Sequence, residues 1–161
     1  MLRRRHSRRR EGAALVEFAV VSMVFFLVLF AIFEFSYLVM VNNLMDNAVR
    51  EGARYAAVNT AQGSSLNDAI RDVVDARMAG IKTRFVGYDK ATSITVTAIN
   101  PVTGLQLTDS TGANVNTWDT AFGQFIQIQV SVTYKPILPS LVMLPSSFTM
   151  SANAVTNSES N

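Results

Sequence analysis

The chemistry of this chain starts at Gly12-Ala13-Ala14-Leu15-Val16-Glu17-Phe18. The Gly12–Ala13 bond joins two small residues and is a candidate cleavage point. Hydrolysis there would leave a free ammonium on Ala13, with Glu17 one helical turn away, about 6 Å along the axis. Within one chain the two charges can approach each other. Between neighbouring helices, Glu17 of one copy could neutralise Ala13 of the next and fix the axial register. A blander reading puts Glu17 at the headgroup level of a membrane, paired with the arginines that precede it. A carboxylate at the centre of a membrane helix costs about 2.5–3.5 kcal/mol on insertion scales, and less near the interface.

The element that must position these groups is an apolar helix. Arg3 to Arg5, His6 and Arg8 to Arg10 come first, and Phe18 to Phe33 then carries no charge and no proline. A basic start before an apolar run marks membrane insertion with the basic end held in the cytoplasm. Roughly 20 residues cross a bilayer core of about 30 Å, so the tract is long enough to span. A cleaved secretory signal would have an apolar region of only about 7–15 residues, closed by a small-residue site. Here bulky residues follow instead, Glu34-Phe35-Ser36-Tyr37-Leu38-Val39-Met40-Val41. Glu34 lies seventeen positions past Glu17, about 25 Å along a helix. It is either an interfacial residue beside Tyr37 or a second inter-helix contact. At about 100° per residue the two glutamates occupy different faces.

The helical stripe continues beyond the span. Val41, Leu44 or Met45, Ala48, Gly52, Tyr55 and Ala56 recur mostly at three- and four-residue steps, the period of an amphipathic helix. One helix from Ala13 to Val58 would be roughly 70 Å long. Asp46 with Arg50, and Glu51 with Arg54, have the spacing of favourable side-chain pairs. Gly52, costing about 1 kcal/mol against alanine, marks close packing. Arg50, Glu51, Gly52 and Arg54 are either a solvated helix face or the join between helix and globular domain, and the close approach that Gly52 permits favours the join.

After a polar break at Thr60 to Ser65, a second helix is predicted over Leu66 to Ala79. Ile70, Val73, Val74 and Met78 form its apolar face, Ser65 with Asp68 resembles an acidic capping arrangement, and Gly80 is its stop. The period then falls to two. Ile94, Val96 and Ala98 predict one strand, Ile126, Ile128, Val130, Val132 and Tyr134 a second, and Phe148, Met150, Ala152 and Ala154 a third. Asn100 to Gln124 is polar and turn-rich, with a short hairpin near Leu105 and Leu107. Pro136 to Pro145 is an apolar loop, either covering the core or forming a lip for a partner. The fold class is α+β, with helices covering one face of a small, mainly antiparallel sheet. The organisation is a basic leader over 1–12, a transmembrane helix over 13–41, its extension over 42–58 and an α+β domain over 59–161.

Charge and composition exclude several classes. The formal net charge is +2, but the first twelve residues hold +5 and residues 13–161 hold −3. The basic excess belongs to the leader, so the domain has no nucleic-acid surface of the usual basic kind. There is no cysteine, and the single histidine is His6. After cleavage neither residue would remain, which argues against an enzyme. Asp109-x-Thr111-x-x-Asn114 lacks the acidic density of a calcium loop, and no metal or other cofactor is expected.

Gly12-Ala13-Ala14-Leu15-Val16-Glu17-Phe18 resembles the processing site of tight-adherence (Flp) pilins and pseudopilins: glycine, four residues, then Glu and an aromatic. Glu34-Phe35 and Val49-Arg50-Glu51-Gly52-Ala53-Arg54-Tyr55-Ala56-Ala57-Val58 are similar to TadE-like minor pseudopilins. The resemblance is strong over residues 11–58 and weak over 59–161, where Tyr134, the Pro/Leu loop and the last strand are its only echoes. It implies cleavage between Gly12 and Ala13 by a prepilin peptidase, with Glu17 and Phe18 completing the recognised segment. It implies a non-enzymatic subunit in pilus assembly and adhesion, whose partners are other pilins or pseudopilins, the inner-membrane assembly platform and membrane lipid. The N-terminus would be cytoplasmic and the C-terminal domain periplasmic. The alternative is an uncleaved, signal-anchored periplasmic binding or scaffold protein.

Overall fold

The computed structural model describes residues 7–100, 102–108, 110–117, 125–137 and 145–157, without the side chains of residues 7–11, 60 and 61. Helix α1 spans Ser7–Val58. It has no proline, and its glycines are too few to break a helix this apolar. It begins before Ala13, where the sequence places the leader, because Gly12 alone costs only about 1 kcal/mol. The Gly12–Ala13 bond therefore lies within helical backbone.

The chain forms two compact units. The first comprises Met1–Tyr37 and Pro136–Ser146, and the second Leu38–Lys135 and Ser147–Asn161. In the first, α1 presents apolar side chains outward: Phe18, Met23, Phe25 and Phe33 are all more than half exposed. The described residues contain one helix long and apolar enough to cross a membrane; its most apolar 18-residue window has mean hydropathy 2.7, and none of that window is buried.

The second unit holds the core. The remainder of α1 buries Val41, Met45, Ala48, Val49, Ala53 and Ala56, a stripe at helical spacing. Helix α2, Leu66–Arg77, buries Leu66, Ile70 and Val74, and Met78 just beyond it is also buried. Each such side chain contributes about 1.5–3 kcal/mol on burial. Gly52 is where the elements meet: a Cβ built on it would lie 2.5 Å from Val74 Cγ2, 3.6 Å from Ile70 Cγ2 and 3.7 Å from Ile128 Cδ1.

Among the described residues four strands make one sheet: β1 Phe85–Val86, β2 Ile94–Ile99, β3 Phe125–Tyr134 and β4 Phe148–Asn157. All pairs are antiparallel. β3 is central, pairing with β4 along its whole length from Phe125↔Asn157 to Tyr134↔Phe148. Its other edge is shared by β2, from Ile94↔Val130 to Ile99↔Phe125, and by β1, through Phe85↔Tyr134 and Val86↔Thr133. This register puts Ile94, Val96 and Ala98 on the same covered face as Ile126, Ile128, Val130, Val132 and Tyr134, with Met150 and Ala152 beside them. The alternation is that of a sheet with one face packed and the other solvated. The Tyr134 and Phe148 rings, 5.5 Å apart between centroids, close one end.

Local details depart from the sequence reading. Ser65 does not cap α2; its hydroxyl donates to the Gln62 carbonyl at 3.1 Å, while Asp68 pairs with Arg71 at 3.0 Å. The segment before α2 is a 3₁₀ turn, Thr60–Ser65, whose geometry draws Ser65 back onto itself. The hairpin near Leu105 and Leu107 reduces to the bridges Ile99↔Gln106 and Thr108↔Asn114. A four-residue helix α3, Lys90–Ser93, is too short to show as a period; Asp89 caps it by accepting from Thr92 N–H at 3.1 Å.

Candidate functional site

The N-terminal constellation sits on the first unit's helix. Gly12 is exposed, and a Cβ built on it meets nothing within 4 Å. Neither packing nor backbone conformation requires glycine at this position. Ala13 and Glu17 are exposed, and Phe18 is 70% exposed. Ala13 and Glu17 stand four residues apart on one continuous helix, so they share a face. Glu17 makes no hydrogen bond or ion pair with any described residue. A carboxylate amid an apolar surface needs a partner, and the side chains of Arg8 to Arg10 lie outside the described residues. The arginines 3 to 5 and His6 lie outside the described residues.

Glu34 has a different setting. It is buried at 3% exposure, and both of its carboxylate oxygens accept from Ile137 N–H, at 3.0 and 3.1 Å. Sequence spacing offered an interfacial residue or an inter-helix contact; the fold adds a partner 103 positions away. Leu138 to Leu144, the middle of the Pro136 to Pro145 loop, lie outside the described residues, as does Asp109.

The third group lies in the second unit. Arg50, Glu51, Arg54 and Arg77 line an open cleft with Leu44 and Asn47. Glu51 accepts from Arg54 at 2.9 Å, as its spacing predicts, and from Arg77 at 3.2 Å. The Arg54 hydrogen bond holds the Glu51 carboxyl below the usual carboxylate value; partial burial opposes this, and the charges of Arg54 and Arg77 reinforce it. One carboxylate between two guanidiniums, with Arg50 exposed alongside, leaves the cleft positive. Arg50 does not pair with Asp46, despite the four-residue spacing. Asp46 instead accepts from Asn42 Nδ2 at 3.3 Å, on the preceding turn. Gly52, between these charges in sequence, faces Val74, Ile70 and Ile128; its contact is inside the domain. Arg77 was not visible as a member of the group, since only the packing of α2 brings it to Glu51 across 26 positions.

Beside the core, α2 carries a second polar cluster. Asp75 accepts from Lys82 Nζ at 2.5 Å and from Tyr88 Oη at 2.6 Å. Burial pushes the Asp75 carboxyl up, but these two hydrogen bonds and the charges of Lys82 and Lys90 bring it below its ordinary value. The Tyr88 phenol is raised, by burial first and then by the Asp75 hydrogen bond. Lys90 is raised mainly by its hydrogen bond to Asp72. Arg71 Nε donates to the Ile94 carbonyl at 3.1 Å, tying α2 to the start of β2. This cluster holds α2 to the segment before β2.

Comparison with curated proteins and with solved structures returned no match. The model of one protein family does match, over residues 12–54. That stretch starts at Gly12, contains Glu17, Phe18 and Glu34, and ends at Arg54, so it takes in the apolar helix and most of the join. Residues 12–54 are thus similar to the family described as TadE-like protein, a likeness that points to the tight-adherence (Flp) pilus system.

Proposed function

We propose that this chain is a minor pseudopilin of the tight-adherence pilus, cut between Gly12 and Ala13 by a prepilin peptidase and acting in pilus assembly and adhesion. The observation that carries this reading is the pairing of an unneeded glycine with an unpartnered carboxylate. Gly12 has no structural reason to be glycine, and Glu17 has no partner among the described residues. Both make chemical sense if the bond after Gly12 is recognised and cut. The new Ala13 ammonium then supplies Glu17 with a cation, within one chain or from the neighbouring subunit. Between subunits, that ion pair forms in a low-dielectric setting, where an unpaired charge is costly, so it favours one axial register.

The apolar helix would anchor the chain in the inner membrane with the leader cytoplasmic, since a basic flank is retained on that side. Residues 59–161 would then be periplasmic. The exposed Arg50, Arg54 and Arg77 offer acidic groups of other pilus subunits or of the assembly platform a docking point. No catalytic role is assigned to the chain; its chemistry is to be a peptidase substrate and then a subunit.

Coexpression with a prepilin peptidase, followed by N-terminal sequencing, tests the reading. A mature chain starting at Ala13 supports it. An intact Met1 rejects it in favour of a signal-anchored periplasmic protein, and a cut beyond residue 35 rejects both.

A further inference from the structure

The first unit contains a carboxylate that is buried although the residues around it are not. Phe33 and Phe35 are 63% and 68% exposed, whereas Glu34 is 3% exposed. What covers it includes the backbone of Ile137, whose N–H donates to both carboxylate oxygens. The N–H thus has an acceptor and the carboxylate a donor. In or near hydrocarbon a backbone N–H outside helix or sheet needs an acceptor, and a carboxylate needs donors.

The level of this contact follows from the helix. Glu34 is about 25 Å beyond Glu17 along α1. If the apolar run from Ala13 fills a core about 30 Å thick, Glu34 stands at the outer margin of that core. Ile137 is fixed at the same level, and its side chain is 44% exposed. The sequence on either side adds no charge between Pro136 and Pro145. The outward apolar surface of α1 at this height, Phe33 and Phe35, would face lipid, so the environment offered to Ile137 is the same lipid.

We infer that the Glu34–Ile137 contact returns the chain to the bilayer, setting Ile137 in the outer leaflet as a second, shallow membrane contact beside the helix. This placement rests on α1 spanning a bilayer. Glu34 is the positioning residue, acting through the Ile137 backbone, and the partner is lipid.

The absence of cysteine makes single-site labelling direct. Nitroxide labels at Ile137→Cys, Phe26→Cys and Val102→Cys, each in the full chain reconstituted into phospholipid vesicles, report collision with oxygen against a water-soluble nickel complex. The label at 137 should favour oxygen, as at 26, whereas the label at 102, a position 90% exposed in the second unit, should favour nickel. Adding Glu34→Ala should move the 137 label toward nickel and leave the 26 label unchanged; Glu34→Gln, which keeps an acceptor oxygen, should move it less. A 137 label that behaves like the 102 label while the 26 label stays in lipid overturns the second contact and spares the span. An unchanged 137 label in Glu34→Ala overturns the positioning role. A 26 label in water overturns the span and the second contact together.

Discussion

At the residue scale, the three glutamates of the TadE-like stretch differ in where their partners come from. Glu51 has two guanidiniums in its own domain, and Glu34 has a backbone N–H in its own unit. Glu17 has no such partner among the described residues, which makes it the residue to test outside the isolated chain. Gly12→Ala should leave thermal unfolding unchanged, because the added methyl meets nothing within 4 Å, yet lower the fraction of chain cleaved, read by mass or N-terminal sequencing. Loss of fold along with loss of cleavage would assign the glycine to structure instead. Glu17→Ala should still be cleaved but support less pilus assembly. Equal assembly by wild type and Glu17→Ala would remove the charge-pair role.

At the element scale, packing of α1 on α2 depends on one missing side chain. Val74 is β-branched and stiff in a helix, so its methyl 2.5 Å from a new Cβ cannot swing away freely. Gly52→Ala should gain helix propensity of about 1 kcal/mol but incur overpacking of about 1–3 kcal/mol, for net destabilisation in denaturant unfolding. Adding Val74→Ala should recover part of the overpacking loss, and additivity of the two changes would show that the contact is not tight. The junction of α2 with the segment before β2 should carry a pH dependence. The Asp75 carboxyl lies below its ordinary value of 3.8 in the folded chain, so the unfolded state binds its proton first as pH falls. Its stabilisation is present above that value and is lost as pH drops through it toward the lower folded value. For a partly exposed pair the contribution is about 1 kcal/mol or less. Asp75→Asn should flatten the acid limb of stability against pH within that window, and an unchanged limb would show that Asp75 does not contribute.

At the whole-molecule scale, the proposed cut would change the charge balance of the protein. The full sequence carries a formal +2, and residues 13–161 carry −3. Cleavage after Gly12 should therefore move the isoelectric point from the basic to the acidic side, readable by isoelectric focusing of the two forms. The positive cleft at Arg50, Arg54 and Arg77 would then stand out on an otherwise acidic protein, an arrangement that favours acidic partners and weakens with salt.

The residue pattern alone determined the apolar helix, the second helix, three strands of the sheet and the faces they bury. These follow from periods of 3.6 and 2, which each short stretch carries in itself. It also singled out Gly12, Ala13 and Glu17, because their spacing is local. What has no period was decided by the tertiary structure: the two-residue strand β1, the four-residue helix α3 and the 3₁₀ turn that takes Ser65 away from its cap. So were the long-range partners, Ile137 for Glu34, Arg77 for Glu51 and Val74 for Gly52. Each of these joins residues more than twenty positions apart, and spacing along a chain carries no information about which distant surfaces meet once the apolar faces have packed.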